Sequence, residues 1–228
     1  MTRILLIGHG RMGALVERLA PEYGCEIAAV VTADTGDAGI AAAPASVDVA
    51  IDFTLADAVL ANVLALAERR INVVIGTTGW QQQEAAVRAA AERQGIGVLA
   101  ASNFSIGQHI FRRAVAQAAA DFAVQDGVGA WIHEAHHIAK KDAPSGTALT
   151  LKESMASAGY TRPVDVSSTR AGSIPGTHTV GFDGPSETVT LTHTVRDRAV
   201  FARGALEAAR WLVGRRGWFT MDDYLRRG

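Results

Sequence analysis

The chain has one cysteine, three lysines and no long apolar run among its 228 residues. A lone Cys25 excludes an intrachain disulfide and any cysteine-based zinc cluster. No stretch approaches the roughly 20 apolar residues that span a bilayer. The opening MTRILLIGHG has four apolar residues before a glycine turn, Ile4 to Ile7, too few for a signal-peptide core. A cytoplasmic location is the expectation. Excess charge is missing as well: the formal net charge is −1, which argues against nucleic acid or an anionic membrane as the main partner. A hydrophobic content of 48% with 20% charged residues is that of an ordinary globular protein with a substantial core.

Residues 3–7, RILLI, form an apolar run ending at Gly8, the pattern of a buried parallel strand. Further strands are predicted at 26–32, 47–54, 71–79 and 95–104. Helices alternate with them, after Gly13, over Ala56 to Arg69 and over Gln81 to Gln94. That alternation predicts an α/β fold with a Rossmann-type parallel sheet. The pattern then changes. A helix over Phe111 to Phe122 precedes strand-like pieces at 129–137, 164–184 and 186–195, with a helix over Thr147 to Ala158 between them. A second α+β domain with an open mixed sheet is expected, then a helix over Ala205 to Val213 and a short acidic-basic tail.

Two segments carry chemistry. Gly8-His9-Gly10-Arg11-Met12-Gly13 matches G-x-G-x-x-G between a strand and a helix. The first glycine permits the turn, the second admits a pyrophosphate to the backbone, and the third lets helix and strand pack closely. The helix start supplies free N–H groups and the positive end of its dipole. Thr32 and Asp34 are the candidates for the ribose hydroxyls at the end of the second strand. No Lys, Arg or His occurs from Leu19 to Glu68 to meet a 2′-phosphate, leaving only Arg11, so NADH is favoured over NADPH. Gly76-Thr77-Thr78-Gly79 and the segment from Ala101 through Ser102, Asn103 and Phe104 follow later strands, where α/β sheets bind ligands.

The second segment is HEAHHIAKKDAPSGTA, 133–148. Its first letters spell H-E-x-x-H, a zinc motif that works only on a helix. The surroundings, two glycines before and Pro144 after, favour a strand. There His133 and His137 stand about 13 Å apart at roughly 3.3 Å per residue, too far to share an ion, so no metal is expected. Instead, Ser145-Gly146-Thr147 opens a helix as a second anion site, beside the positive charge and exchangeable protons of His136, His137, Lys140 and Lys141. That constellation suits a small carboxylate substrate.

In order, GHGRMG, GTTG, SNFSIG and EAHH…K…DAPSGTA resemble the dihydrodipicolinate reductase (4-hydroxy-tetrahydrodipicolinate reductase) family along nearly the whole chain. The resemblance implies an NAD(P)-dependent oxidoreductase of lysine and diaminopimelate biosynthesis. Hydride would go to C4 of the ring and a proton to C3. It implies that His136 gives or accepts a proton, that Lys140 donates one, and that His137, Gly146 and Thr147 bind substrate. Gly8–Gly13, Gly76–Thr78 and Ala101–Phe104 would line the cofactor. It also implies a homotetramer joined through the sheets of the second domain. The last helix would return to the first, giving domains of 1–104 plus about 205–228, and 105–204. The stretch from Asp34 to Val47 looks trimmed of a helix or loop. The usual acid and arginine after the second strand align with Thr32 and Ala33. Another dehydrogenase, acting on an amino-acid semialdehyde, and a non-catalytic NAD-binding regulator remain as alternative functions.

Overall fold

A computed structural model describes residues 1–226. The chain divides into two compact units, Met1–Ile106 with Ala199–Gly228, and Gly107–Arg198.

The first unit opens with β1 (Thr2–Ile7), α1 (Arg11–Leu19), β2 (Cys25–Val31), α2 (Gly36–Ala42), β3 (Val49–Asp52), α3 (Val59–Glu68), β4 (Asn72–Ile75), α4 (Glu84–Gln94) and β5 (Gly97–Ala100). It closes with α7 (Ala199–Leu212), β10 (Gly217–Phe219) and α8 (Met221–Leu225). The strands form one parallel sheet in the order β10-β5-β4-β3-β1-β2. Alternate residues of β1 explain the layering. Ile4 and Leu6 pack with Val16, Leu19, Ala205 and Leu206 on one face, while Leu5 and Ile7 pack with Val59, Val63, Leu66 and Val87 on the other. Burial on both faces is why these strands read as unbroken apolar runs.

Three features depart from the sequence reading. The stretch after Asp34, which looks trimmed in the sequence, folds as α2. Ile40 is fully buried there, and the Arg69 guanidinium binds the carbonyls of Ile40 and Ala43, the latter at 2.7 Å. The last long helix begins at Ala199 rather than Ala205, because Ala199 and Ala202 are already core residues. Its Gly204 is needed, since a Cβ there would fall 1.8 Å from the Phe104 carbonyl oxygen. The expected tail contains an edge strand. Trp218 of β10 lies under the Arg88 guanidinium (3.9 Å) and beside Trp80. Asn72 clamps this end of the unit by donating to the Leu212 and Arg215 carbonyls (2.8 and 2.9 Å) and accepting from Gly97 N–H (2.7 Å).

The second unit contains α5 (Ile106–Ala123, all but its first residue), β6 (Gly129–His136), α6 (Gly146–Ser157), β7 (Val164–Arg170), β8 (Thr177–Asp183) and β9 (Thr188–Thr194). The four strands form a mixed sheet, β7-β6-β8-β9, with β6 and β7 parallel and the other pairs antiparallel. Residues 171–176 leave the ladder, so the expected single piece over 164–184 is two strands. Along β6, Ala130, Ile132, Glu134 and His136 are buried. Ala130 and Ile132 join a core of Leu151, Met155, Tyr160, Val180 and Phe182. The opposite face is polar: His133 pairs with Ser167 (2.9 Å), Thr179 with Thr192 (3.0 Å) and Thr177 with Thr194 (3.2 Å). Trp131 sits on that face over Gly181, its cross-strand partner, where a Cβ would stand 2.2 Å from the indole.

If α7 is integral to the first unit, Leu206→Ala should lower stability by about 2–5 kcal/mol, the usual range for emptying a filled core site. Urea unfolding of the variant measures this.

Candidate active site

The carboxyl ends of β1, β3, β4 and β5 lie along one edge of the parallel sheet, where the chain turns into its glycine-rich loops. Gly8 has φ +89°, and a Cβ there would lie 2.3 Å from the Phe53 carbonyl oxygen. A Cβ on Gly13 would lie 2.1 Å from the Gly8 carbonyl oxygen, whereas at Gly10 it would meet nothing within 4 Å. The three glycines thus divide their work as the fingerprint requires: turn, open approach and close packing. Helix α1 starts at Gly10 with no side-chain cap, leaving its first N–H groups available to an anion.

Beside this loop is a cavity of about 530 Å³ lined by Gly8, His9, Thr32, Asp34, Asp37, Thr54 and Asn62, among others. Two carboxylates and no Lys or Arg line it. His9 also pairs with Glu17 (2.7 Å). Arg11 is exposed and Met12 half-buried. Beneath the loops lies Asp52, fully buried, which the sequence reading did not single out. It accepts from Thr54 N–H (3.0 Å), Thr54 Oγ1 (2.7 Å), Thr77 Oγ1 (2.9 Å) and Asn62 Nδ2 (2.9 Å). Thr77 is therefore turned inward, and its neighbours Gly76 and Thr78 are the more accessible part of that loop. Gly76 packs on the Phe53 ring, where a Cβ would come within 2.1 Å. In the last loop Ala101 is half-buried and Ser102 exposed, and Asn103 Oδ1 accepts from Ser105 N–H (2.8 Å). Phe104 belongs to the core, edge-on to Phe53. The side chains of Thr77 and Phe104, both expected to line the cofactor, are buried, and Thr77 is bonded to Asp52.

In the second unit, residues 133–136 are strand, not helix, so the H-E-x-x-H letters do not converge. Their alternation puts His133 on the polar face and Glu134 and His136 on the buried one. Glu134 is fully buried and accepts from Arg170 Nη1 (2.9 Å), Arg170 Nη2 (2.7 Å), Ser145 N–H (3.2 Å) and His136 Nδ1, with the Ser168 side chain also bonded to it. Ser145 caps α6 by accepting from Ala148 N–H (3.2 Å), and its hydroxyl also contacts His178 Nε2 (2.9 Å). That hydroxyl is buried and already has two partners. Gly146 is exposed at the helix start, Thr147 and His137 are half-buried, and Lys140 Nζ lies 2.7 Å from Asp142 Oδ1. Arg170 and His178, on β7 and β8, escaped the sequence reading. Only the strand register, which sets Arg170 beside His136 and His178 opposite Glu134, brings them here.

Burial would raise the Glu134 carboxyl, but hydrogen bonds from Arg170, Ser168 and His136 outweigh it and hold it at about 2. Burial pushes His178 down to about 4, helped by the nearby His136. His136 is lowered too, again first by burial, with Glu134 opposing. Lys140 lowers Asp142 by a direct hydrogen bond. An ionised carboxylate can only accept, so His136 Nδ1 carries the proton shared with Glu134 and Nε2 holds the lone pair. Glu134, His136 and His178 have one donor atom each within 4.8 Å of one another, close enough for an ion. The Arg170 guanidinium already occupies both Glu134 oxygens, however, and opposes a cation there.

Both depressed values destabilise the fold in acid. As pH falls from 6.5 towards 4 the unfolded chain takes up a proton that folded His178 refuses; from 4.5 towards 2 the same holds for Glu134. Thermal melts between these limits should show Tm falling in both windows, and His178→Gln should make the upper fall shallower, leaving the part due to His136 and His193.

Among the described residues no helix is long and apolar enough to cross a membrane. Comparison with known proteins gives a consistent result. The profile "Dihydrodipicolinate reductase, N-terminus" matches residues 2–104, and "Dihydrodipicolinate reductase, C-terminus" matches residues 107–225. The chain is 37% identical to a 4-hydroxy-tetrahydrodipicolinate reductase of Chromobacterium violaceum, with 97% of each chain covered. It is 35% identical to one from Methanoregula boonei, with 99% of this chain and 98% of that one covered. A solved structure, the dipicolinate-bound dihydrodipicolinate reductase from Paenisporosarcina sp. TG-14, shares the fold with a TM-score of 0.80 at 24% identity, covering 96% of this chain and 97% of that one. Matched in both halves by one family and along its length by that family's relatives, the chain belongs to the dihydrodipicolinate reductases.

Proposed function

We propose that this chain reduces 4-hydroxy-tetrahydrodipicolinate to tetrahydrodipicolinate in lysine and diaminopimelate biosynthesis, using NADH in preference to NADPH. The observation that carries the reading is the proton-handling cluster of the second unit: His136 on its buried carboxylate, Lys140, and the start of α6 within one short segment.

The first unit fits the cofactor. Gly8, Gly10 and Gly13 leave the space and the free helix start that a pyrophosphate needs, and the adjoining cavity suits an adenosine. Thr32 and Asp34 serve the ribose hydroxyls. A 2′-phosphate placed there would face Asp34 and Asp37 with no lining Lys or Arg to neutralise it. Backbone from Gly76 to Thr78 and from Ala101 to Phe104 would complete the site. When bound, the cofactor supplies hydride to C4 of the substrate ring.

In the second unit, Gly146 and Thr147 at the start of α6, with His137, hold the substrate carboxylates. Thr147 is half-buried at the start of α6. Lys140 gives the proton to C3, because His136 at neutral pH is an uncharged imidazole whose Nδ1–H is committed to Glu134. His136 Nε2 is then the position that takes up a proton and returns it. Copies of the chain assemble through the polar outer face of the β7-β6-β8-β9 sheet, where Trp131 is half-buried among hydroxyl pairs, and this reading includes a homotetramer.

Nicotinamide absorbance, followed with the condensation product of aspartate semialdehyde and pyruvate, tests the activity. No oxidation with that product, alongside intact NADH binding, would instead leave a binding protein. Lys140→Ala and His136→Ala should each lower kcat by about 10²- to 10⁴-fold with NADH affinity unchanged; wild-type turnover in both would overturn the roles. Thr147→Val should raise KM for the substrate more than it lowers kcat. Asp34→Ala should weaken NADH and narrow the gap to NADPH, and an unaltered ratio of the two kcat/KM values would count against the preference.

A further inference from the structure

We infer that Glu134 and Arg170 form a positioning couple that fixes the tautomer of His136 and the anchor points of the loop carrying Lys140. The inference rests on the reading that His136 and Lys140 handle protons. It adds two residues that touch neither substrate nor cofactor in that reading and act through others.

Glu134 lies on β6 two residues before His136, so both side chains project from the same face of the strand. Arg170 is the last residue of β7, directly beside His136 in the parallel register. Its two terminal nitrogens form a fork on the two Glu134 oxygens, 2.9 Å to Oε2 and 2.7 Å to Oε1. Both oxygens have further donors. Oε2 accepts from His136 Nδ1 and Oε1 from Ser145 N–H at 3.2 Å. Arg170 Nη2 also donates to the Asp142 carbonyl at 2.5 Å.

The loop of residues 137–145 is therefore tied at His136, at Asp142 and at Ser145, all to one ion pair. Lys140 sits between the first two ties and bonds Asp142 from within the loop. The far side of the imidazole is kept open by Gly176, where an added Cβ would stand 3.2 Å from His136 Nε2. The carboxylate thus sets which ring nitrogen carries the proton, and the guanidinium keeps the carboxylate ionised and unable to rotate. A buried ion pair is a poor way to gain stability compared with an apolar pair of equal volume. Its value lies in geometry, here the geometry of the proton-handling groups.

Imidazole 15N NMR of the wild-type protein should show His136 as the Nδ1–H tautomer; an Nε2–H tautomer overturns the inference without any variant. Glu134→Gln keeps the size but can donate as well as accept. It should give mixed tautomers and lower kcat by about 10- to 100-fold, with KM for NADH unchanged. In the double variant with His136→Gln, the loss should be smaller than the product of the single losses, because Glu134 acts through His136. Multiplying losses, or a Glu134→Gln protein with wild-type kcat, would mean a structural role only. Arg170→Lys keeps the charge without the fork and should fall between wild type and Glu134→Gln, which retains a test if the latter does not fold. Wild-type turnover in His136→Gln alone would defeat the catalytic reading of His136, while the tautomer spectra would still decide the positioning.

Discussion

A carboxylate with no access to water must be compensated inside the protein, and Glu134 is compensated from several sides. Removing a charge from water costs several kcal/mol unless a partner and the remaining lone pairs are supplied. The arginine that supplies the charge comes from β7, the ring N–H from β6, the strand of Glu134 itself, and the amide from Ser145, which caps α6. Meeting these demands sets the register of β6 on β7, the position of His136 and the point at which α6 begins. It also explains why an apparent zinc motif is something else. On a strand, Glu134 and His136 share one face while His133 takes the other. The letters that matter are thus two apart rather than four.

The first unit solves a similar problem without an arginine. Asp52, at the end of β3, is just as buried, and its donors are two threonines, one of their amides and an asparagine. These ties run from the loop after β3 to the loop after β4 and to α3. They hold together segments that the sheet leaves as separate turns. In both units a buried acid at or near a strand end ties together the loops around it. Thr77 and Ser145 lie on loops that read as binding segments, yet their hydroxyls point inward.

How much was legible follows from where the stabilising partners lie. The apolar runs of β1, β3 and β4 and the spacing of Gly8, Gly10 and Gly13 are local signals, and each element formed where its residues indicate. The segment from Glu134 to Thr147 is also contiguous, so its candidate residues stand together in the sequence. Elements held by distant residues could not be read that way. α2 depends on Arg69, β10 on Arg88 and Trp80, and the end of α7 on Asn72. The same holds inside the site. Arg170 and His178 have no motif of their own, and only parallel pairing on one side of β6 and antiparallel pairing on the other delivers them to it. Composition carries no trace of such pairing, because a register is a relation between strands.

The two helix starts in these sites show the same principle at closer range. α1 begins at Gly10 with no side chain acting as a cap, so its first amides and its dipole are left to an anion from outside. α6 begins at Ser145, whose hydroxyl already caps it, and the nearby Asp142 carboxylate is stabilised by Lys140 and by the Gly146 amide. A carboxylate arriving at α6 therefore meets a lysine that already has a partner, and it gains only the difference between its own contact and that of Asp142. Such a start discriminates by fit more than by charge. An anion with a single carboxylate can do little better than the aspartate already there. The open start suits a ligand whose phosphates bring their own charge, and the partly satisfied one suits a small acid that has to be told apart from others.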